Sequence, residues 1–253
     1  MTPFQPSQTI DEVLERLSEI IELCKQKGLR HGYFAVLYKH MTAAVRDAIK
    51  GGKFEDNARM EKLDVLFADR YLEAFYLMNN GQPTTKSWKK AFEAADHPSL
   101  VVFQHLLLGV NAHINLDLAI AAAQTSPGPT IFDMKKDFEK INEIIASLTG
   151  VMQKRLSRVS WPMNFIRNIM NGSDEAVIEF SIAKARKASW AQATLLAQAN
   201  TQQTEPYIHS LDQAVSGIAS KIIQPGRLTR ALLTPVRWFE PSGIPKIIEL
   251  LDA

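Results

Sequence analysis

The stretch LLLGVNAHINLDLAIAAA, Leu106–Ala123, decides how the rest of the chain reads. Its aliphatic and alanine content is that of a buried helix, yet it carries Asn111, His113, Asn115 and Asp117. Moving a carboxylate from water into an apolar interior is very costly unless something pairs with it. The stretch therefore predicts either a closed hydrogen-bond network or a site. At about 100° per residue, His113 and Asp117 share one face a turn apart, with Gly109 one turn before them. Gln104, Asn111 and Asn115 cluster roughly 160–200° around on a different face. Two polar seams separated by aliphatic residues describe a central helix that touches several neighbours, unlike an amphipathic surface helix with one broad polar side.

Working outward, almost everything reads as helix and no alternating strand pattern is present. SQTIDEVLERLSEIIELCKQKG opens with capping residue types and stops at Gly28. Helical patterns follow over Tyr33–Lys50, from Asp56 to the Asn79-Asn80-Gly81 stop, and in a shorter piece that ends near Pro98. The central helix runs over about 99–124 and SPGP terminates it. Further patterns cover Asp133–Arg158 and Ser173–Asn200, and another helix begins near Glu205 and Pro206. Four prolines and two glycines break the tail after Gln224. The expectation is an all-α, single-domain multi-helix bundle over 1–224, with a C-terminal arm over 225–253 packed on it.

Composition narrows the function classes. A net charge of +2 over 253 residues, with basic residues scattered, leaves no electrostatic footprint for nucleic acid. The single cysteine, Cys24, excludes an intramolecular disulfide and falls at core spacing with Leu14, Leu17 and Ile21. The start lacks the basic region and apolar run of a secretory signal, and no stretch of about 18 residues is continuously apolar. A cytoplasmic protein without a transmembrane segment is expected, and its oligomeric state stays open.

Neighbouring helices supply partners for the central seam. Asp64 projects with Met60, Phe67, Tyr71 and Phe75 from one apolar stripe, and Arg70 at its edge can reach an inner carboxylate. Asp69 and Glu73 point away and read as solvated. Asp137 lies on the Ile141, Ile144 and Ile145 side, while Asp133 has the position of a helix cap. Tyr38 and Thr42 share the face of Phe34, Met41 and Val45; His40 does not.

These residues also carry a resemblance. KLDVLFADRYLEAF, then GVNAHINLDLAIA, then DMKKDFEKINEII resemble a bacterial family of helical proteins of unknown function with an Asn-Ala-His-Ile-Asn-x-Asp-Leu motif. The resemblance runs from about Tyr33 to about Leu196. It points to Asp64, Arg70, Tyr71, Asn111, His113, Asn115, Asp117, Asp137 and Asn142, and implies no assigned activity.

Three functions fit this pattern. The first is an enzyme with a buried His/Asp site, in which His113, Asp117, Asp64 and Asp137 are catalytic. Tyr38, Thr42, Arg70, Tyr71, Asn111 and Asn115 would then bind a small, partly apolar substrate. Imidazole and carboxylate a turn apart also converge at zinc or iron distances, so His113, Asp117 and Asp64 are a candidate set for one divalent metal ion serving hydrolase or lyase chemistry. No HExxH or paired ExxH pattern adds a second metal pair. The second is a non-catalytic module holding an apolar ligand between helices. The third is a scaffold whose polar network fixes packing register. Neither a nucleophile elbow nor a phosphate-cradling glycine loop is present.

Overall fold

Helix boundaries follow the local capping chemistry in the computed structural model, which describes residues 3–159 and 182–253. Thr9 accepts from the backbone N–H of Glu12 to open α1 (Ile10–Lys27), and Gly28 closes it at φ 65°, a left-handed conformation that suits glycine. α2 (Gly32–Lys50) follows; α3 (Asn57–Asn79) is capped by Asp56, and α4 (Lys86–Glu93) by Thr85. Next come α5 (Val102–Ala112), α6 (Leu118–Thr125), a 3-10 turn (Gly128–Met134) and α7 (Lys135–Val159). α8 (Ile182–Gln198), α9 (Thr201–Ile223), α10 (Arg227–Phe239) and α11 (Ile244–Asp252) complete the chain. Among the described residues there is no strand, and the protein is an all-α multi-helix bundle.

Between α5 and α6 the rod does not break; His113–Asp117 form a π turn, and the N–H of Leu118 reaches the carbonyl of His113. Single π turns inside helices are rare and concentrate at functional sites. The expected central helix is thus present over Val102–Thr125, with its polar motif on the one widened turn. By length and composition the rod could cross a membrane, at mean hydropathy 1.5, and 89 % of that window is buried inside the fold.

Two apolar clusters meet at the rod. One gathers α1, α2, α3, α4, α5 and α11 around Leu17, Phe34, Tyr71, Trp88 and Ile248. The other gathers α6, α7, α8 and α9 around Leu116, Ala119, Ala122, Phe138 and Ala193, where alanines on α6 and α8 let two backbones approach closely. Gly109 makes a similar allowance, since a Cβ there would lie 2.4 Å from Cγ of Phe34.

Several sequence readings shift. Asp69 is buried rather than solvated, because its carboxylate accepts from Ser7 N (2.8 Å) and Ser7 Oγ (2.7 Å) and so anchors the N-terminal segment. Asp133 sits in the 3-10 turn instead of capping α7. α9 starts at Thr201, ahead of Glu205, because Asn200 and Gln203 cap each other reciprocally; the helix then runs through Pro206. The helix expected from Ser173 is described only from Ile182, and 173–181 lie outside the described residues. The arm over 225–253 packs as α10 and α11, with Ile247, Ile248 and Leu251 in the core.

Candidate functional site

The π turn places His113 and Asp117 on the face of the rod that meets α2, α3 and α4. His113 Nδ1 lies 3.1 Å from Asp117 Oδ2. The same Oδ2 accepts from Trp88 Nε1 at 2.8 Å, and Oδ1 accepts from Arg70 Nε at 3.0 Å. A carboxylate only accepts, so the neutral imidazole carries its proton on Nδ1 and turns an Nε2 lone pair outward. Burial pushes the His113 pKa down, with Asp117 opposing the shift, and this favours the neutral ring. Phe67 stacks on the imidazole at 3.6 Å between centroids and 9°, and Tyr38 meets it edge-on at 4.4 Å. Ring orientation is therefore fixed from three sides.

Among the described residues, His113 Nε2 is buried without a hydrogen-bond partner, and so are Tyr38 Oη, Thr42 Oγ1 and Asp64 Oδ2. These four residues, from α2, α3 and the π turn, line one cavity of about 90 Å³. Apart from Arg186 the rest of its wall is apolar, from Phe34, Leu37, Met41, Phe67, Ile114 and Ile141 among others. Buried polar atoms are normally paired, so four orphans around one void are an anomaly. Burial raises the Asp64 carboxyl to about 8, with Glu61 adding to the shift, so at neutral pH it is largely a protonated donor. Burial also lifts the Tyr38 phenol far above its usual range; the Thr42 hydroxyl partly offsets this without reaching hydrogen-bond geometry. Arg186 closes the α7 and α8 end. It donates to Asn142 Oδ1 and Phe138 O, both at 2.7 Å, and lies over the Phe138 ring.

The other expected site residues go elsewhere. Asp137 accepts from the backbone N–H groups of Glu55 (2.7 Å) and Asp56 (3.0 Å) and from Arg59 (3.2 Å), which fixes the entry to α3 and leaves it off the cavity wall. Asn111 donates to Val215 O and accepts from Asn115, both at 3.0 Å, on the side that faces α9. Arg70 holds Asp117 instead of facing the cavity. Tyr71 packs between Phe34 and Trp88. The metal set of His113, Asp117 and Asp64 is not assembled: among the described residues no three His, Cys, Asp or Glu groups converge on a common point. Asp117 faces its cationic and N–H partners, and its bond to His113 uses the nitrogen that a metal would need on that side. Trp88 and Arg186 were missed by sequence reasoning. Arg186 gave no signal, because in the run Lys184-Ala185-Arg186-Lys187 it reads as part of a solvated basic face; Trp88 gave none either, since a tryptophan in a short helix reads as packing.

The fold and site define a class: an all-α bundle whose central helix carries a His–Asp pair against a largely apolar cavity. Over residues 10–225 the chain matches the family described as a family of unknown function (DUF5995), and it belongs to that family. No curated protein and no solved structure matches it.

Proposed function

We propose that the cavity is an active site for general acid–base chemistry on a small, uncharged, mostly apolar molecule. The observation behind this reading is the convergence of four unpaired polar atoms on one apolar void. His113 Nε2, oriented through Nδ1 by Asp117, is the proton acceptor. Asp64, held protonated by burial, is the donor. An acid and a base whose surroundings push their proton affinities apart are what proton transfer needs. Tyr38 and Thr42 orient the substrate by its polar group.

Size limits the substrate. The cavity is smaller than the roughly 150 Å³ void that admits benzene, so it suits a handful of heavy atoms. Asp64 and His113 are both held towards their neutral forms by burial and offer an ionic substrate no counter-charge, and Arg186, the charged group on the wall, already donates to Asn142 and Phe138.

Small ketones and lactones, such as butanone, cyclopentanone and butyrolactone, test the reading by ligand-observed NMR in D2O. Expected are saturation transfer to a bound probe and exchange of the proton α to its carbonyl, with exchange lost in His113→Gln and Asp64→Asn. Binding without exchange in the wild type supports a second reading, a non-catalytic ligand site, which the nearly continuous apolar wall also favours. Failure of the whole probe set to bind, or binding undiminished in Tyr38→Phe and His113→Gln together, overturns the cavity as a site for this class.

A further inference from the structure

Helix α10 divides into three strips. Thr229, Leu233 and Val236 are buried, and the two aliphatic side chains pack with Val101. At about 100° per residue, Leu228, Ala231, Pro235, Trp238 and Phe239 fall within an arc of about 100° on the opposite side. All five are exposed, with Trp238 at 77 %, Phe239 at 54 % and Leu228 at 52 %. Arg227, Arg230 and Arg237 fill the next arc of about 80°, are exposed, and join no ion pair among the described residues. The helix carries no acidic side chain. The first acid after it, Glu240, is turned inward to accept from Val102 N at 2.8 Å.

An exposed strip of tryptophan, phenylalanine and leucine beside a one-sided row of arginines is the pattern of a helix lying in a lipid interface. The apolar strip enters the boundary between headgroups and acyl chains while the guanidinium groups meet phosphates. We propose that α10 docks this protein onto a membrane surface bearing anionic phospholipid. Charge complementarity selects that occupant: three cations that join no ion pair among the described residues border the apolar strip, and no acidic side chain on the helix offsets them. Docking requires no folding step, because Thr229, Leu233 and Val236 already hold α10 on the bundle. The helix lies beyond residues 10–225, the part that matches the family. Docking is independent of the acid–base reading of the cavity.

The test uses the full chain and sedimentation with phosphatidylcholine vesicles, with or without an equal part of phosphatidylglycerol. Expected is binding to the anionic vesicles alone, lost in about 0.5 M salt, where charges on the surface are screened within a few ångströms. The triple change Arg227→Gln, Arg230→Gln, Arg237→Gln should lower the partition coefficient roughly 100-fold, at about one tenfold step per 1.4 kcal/mol and about 1 kcal/mol per arginine. Trp238→Ser with Phe239→Ser should lower it at least about tenfold. Circular dichroism verifies that both variants keep the fold, and quenching of Trp238 by brominated lipid, absent in Trp238→Phe, is a second readout on unperturbed protein. The proposal is overturned if the wild type ignores anionic vesicles, if both variants bind like wild type, or if the apolar strip instead forms a dimer that the serine variant abolishes in sedimentation velocity.

Discussion

The rod from Val102 to Thr125 presents similar polar side chains on two faces, and they meet different fates. Towards α9, Gln104 donates to Ile222 O at 2.7 Å and Asn111 to Val215 O at 3.0 Å. Seven residues separate the donors (111 − 104) and seven separate the acceptors (222 − 215), so two antiparallel helices lock in one register. Towards α2 and α3, His113 Nε2 faces a void that it shares with three other unpaired atoms. Buried polarity alone thus does not mark a site. Four buried aspartates make the same point: Asp69, Asp117, Asp137 and Asp212 are each held by two or more donors, while Asp64 has no hydrogen-bond donor among the described residues.

If that contrast is right, substitutions on the two sides should diverge. The largest expected effect is at Asp117. Asp117→Ala strands Arg70, Trp88 Nε1 and His113 Nδ1, and should cost about 3–5 kcal/mol in urea unfolding. A loss below about 1 kcal/mol would mean that this anchor is not formed.

Asp64→Asn should go the other way. Its folded pKa, about 8, stands above the unfolded value of 3.8, so the folded state holds an extra proton between them. Wild-type stability from this group is fully present below about pH 4 and falls as pH rises towards 8. The asparagine variant should match wild type near pH 4 and exceed it at pH 7, by at most about 4 kcal/mol. Parallel pH profiles for the two proteins would refute a protonated Asp64. Below about pH 6.5 a separate loss is expected from His113 and His105, both shifted down by burial, because the unfolded chain takes up protons that these rings refuse.

On the closed face, Asn111→Ala leaves the Val215 carbonyl and the Asn115 amide without their partner, and should cost about 1–3 kcal/mol by the same urea titration. The smallest effect belongs to the open face. Thr42→Val removes a hydroxyl that has no partner and keeps its volume, so stability should change by less than about 1 kcal/mol, with any change favourable. A loss as large as that of Asn111→Ala would erase the distinction between the two faces.

Much of this was legible beforehand. Capping residues and glycine stops set the helices, and the 3.6-residue period placed His113 with Asp117 and apart from Asn111. Arg70 was within reach of an inner carboxylate on stripe geometry alone. What could not be read is which long-range partner each buried aspartate finds. Asp69 meets a residue 62 positions away and Asp137 meets the chain 82 and 81 positions away, pairings that depend on tertiary packing and leave no local periodicity. The orphaned atoms were equally invisible, since an empty partner position is a property of the void and not of any one residue.

The widened turn at His113–Asp117 has a consequence for chain length. A π turn accommodates one residue more than an α turn, so α6 stands about 100° out of phase with an uninterrupted continuation of α5. Straightening this turn into α-helix at unchanged length would rotate Ala119 and Ala122 about 100° off the surface that meets α8, whereas deleting one residue between Ala112 and Leu118 would let an unbroken α-helix keep them on it. In a straightened rod of unchanged length, larger side chains would be driven into a contact sized for alanine. The widened turn therefore takes up one residue of chain: with it the two helical segments each keep their own neighbours, and a rod without it engages both halves of the protein only if it is one residue shorter.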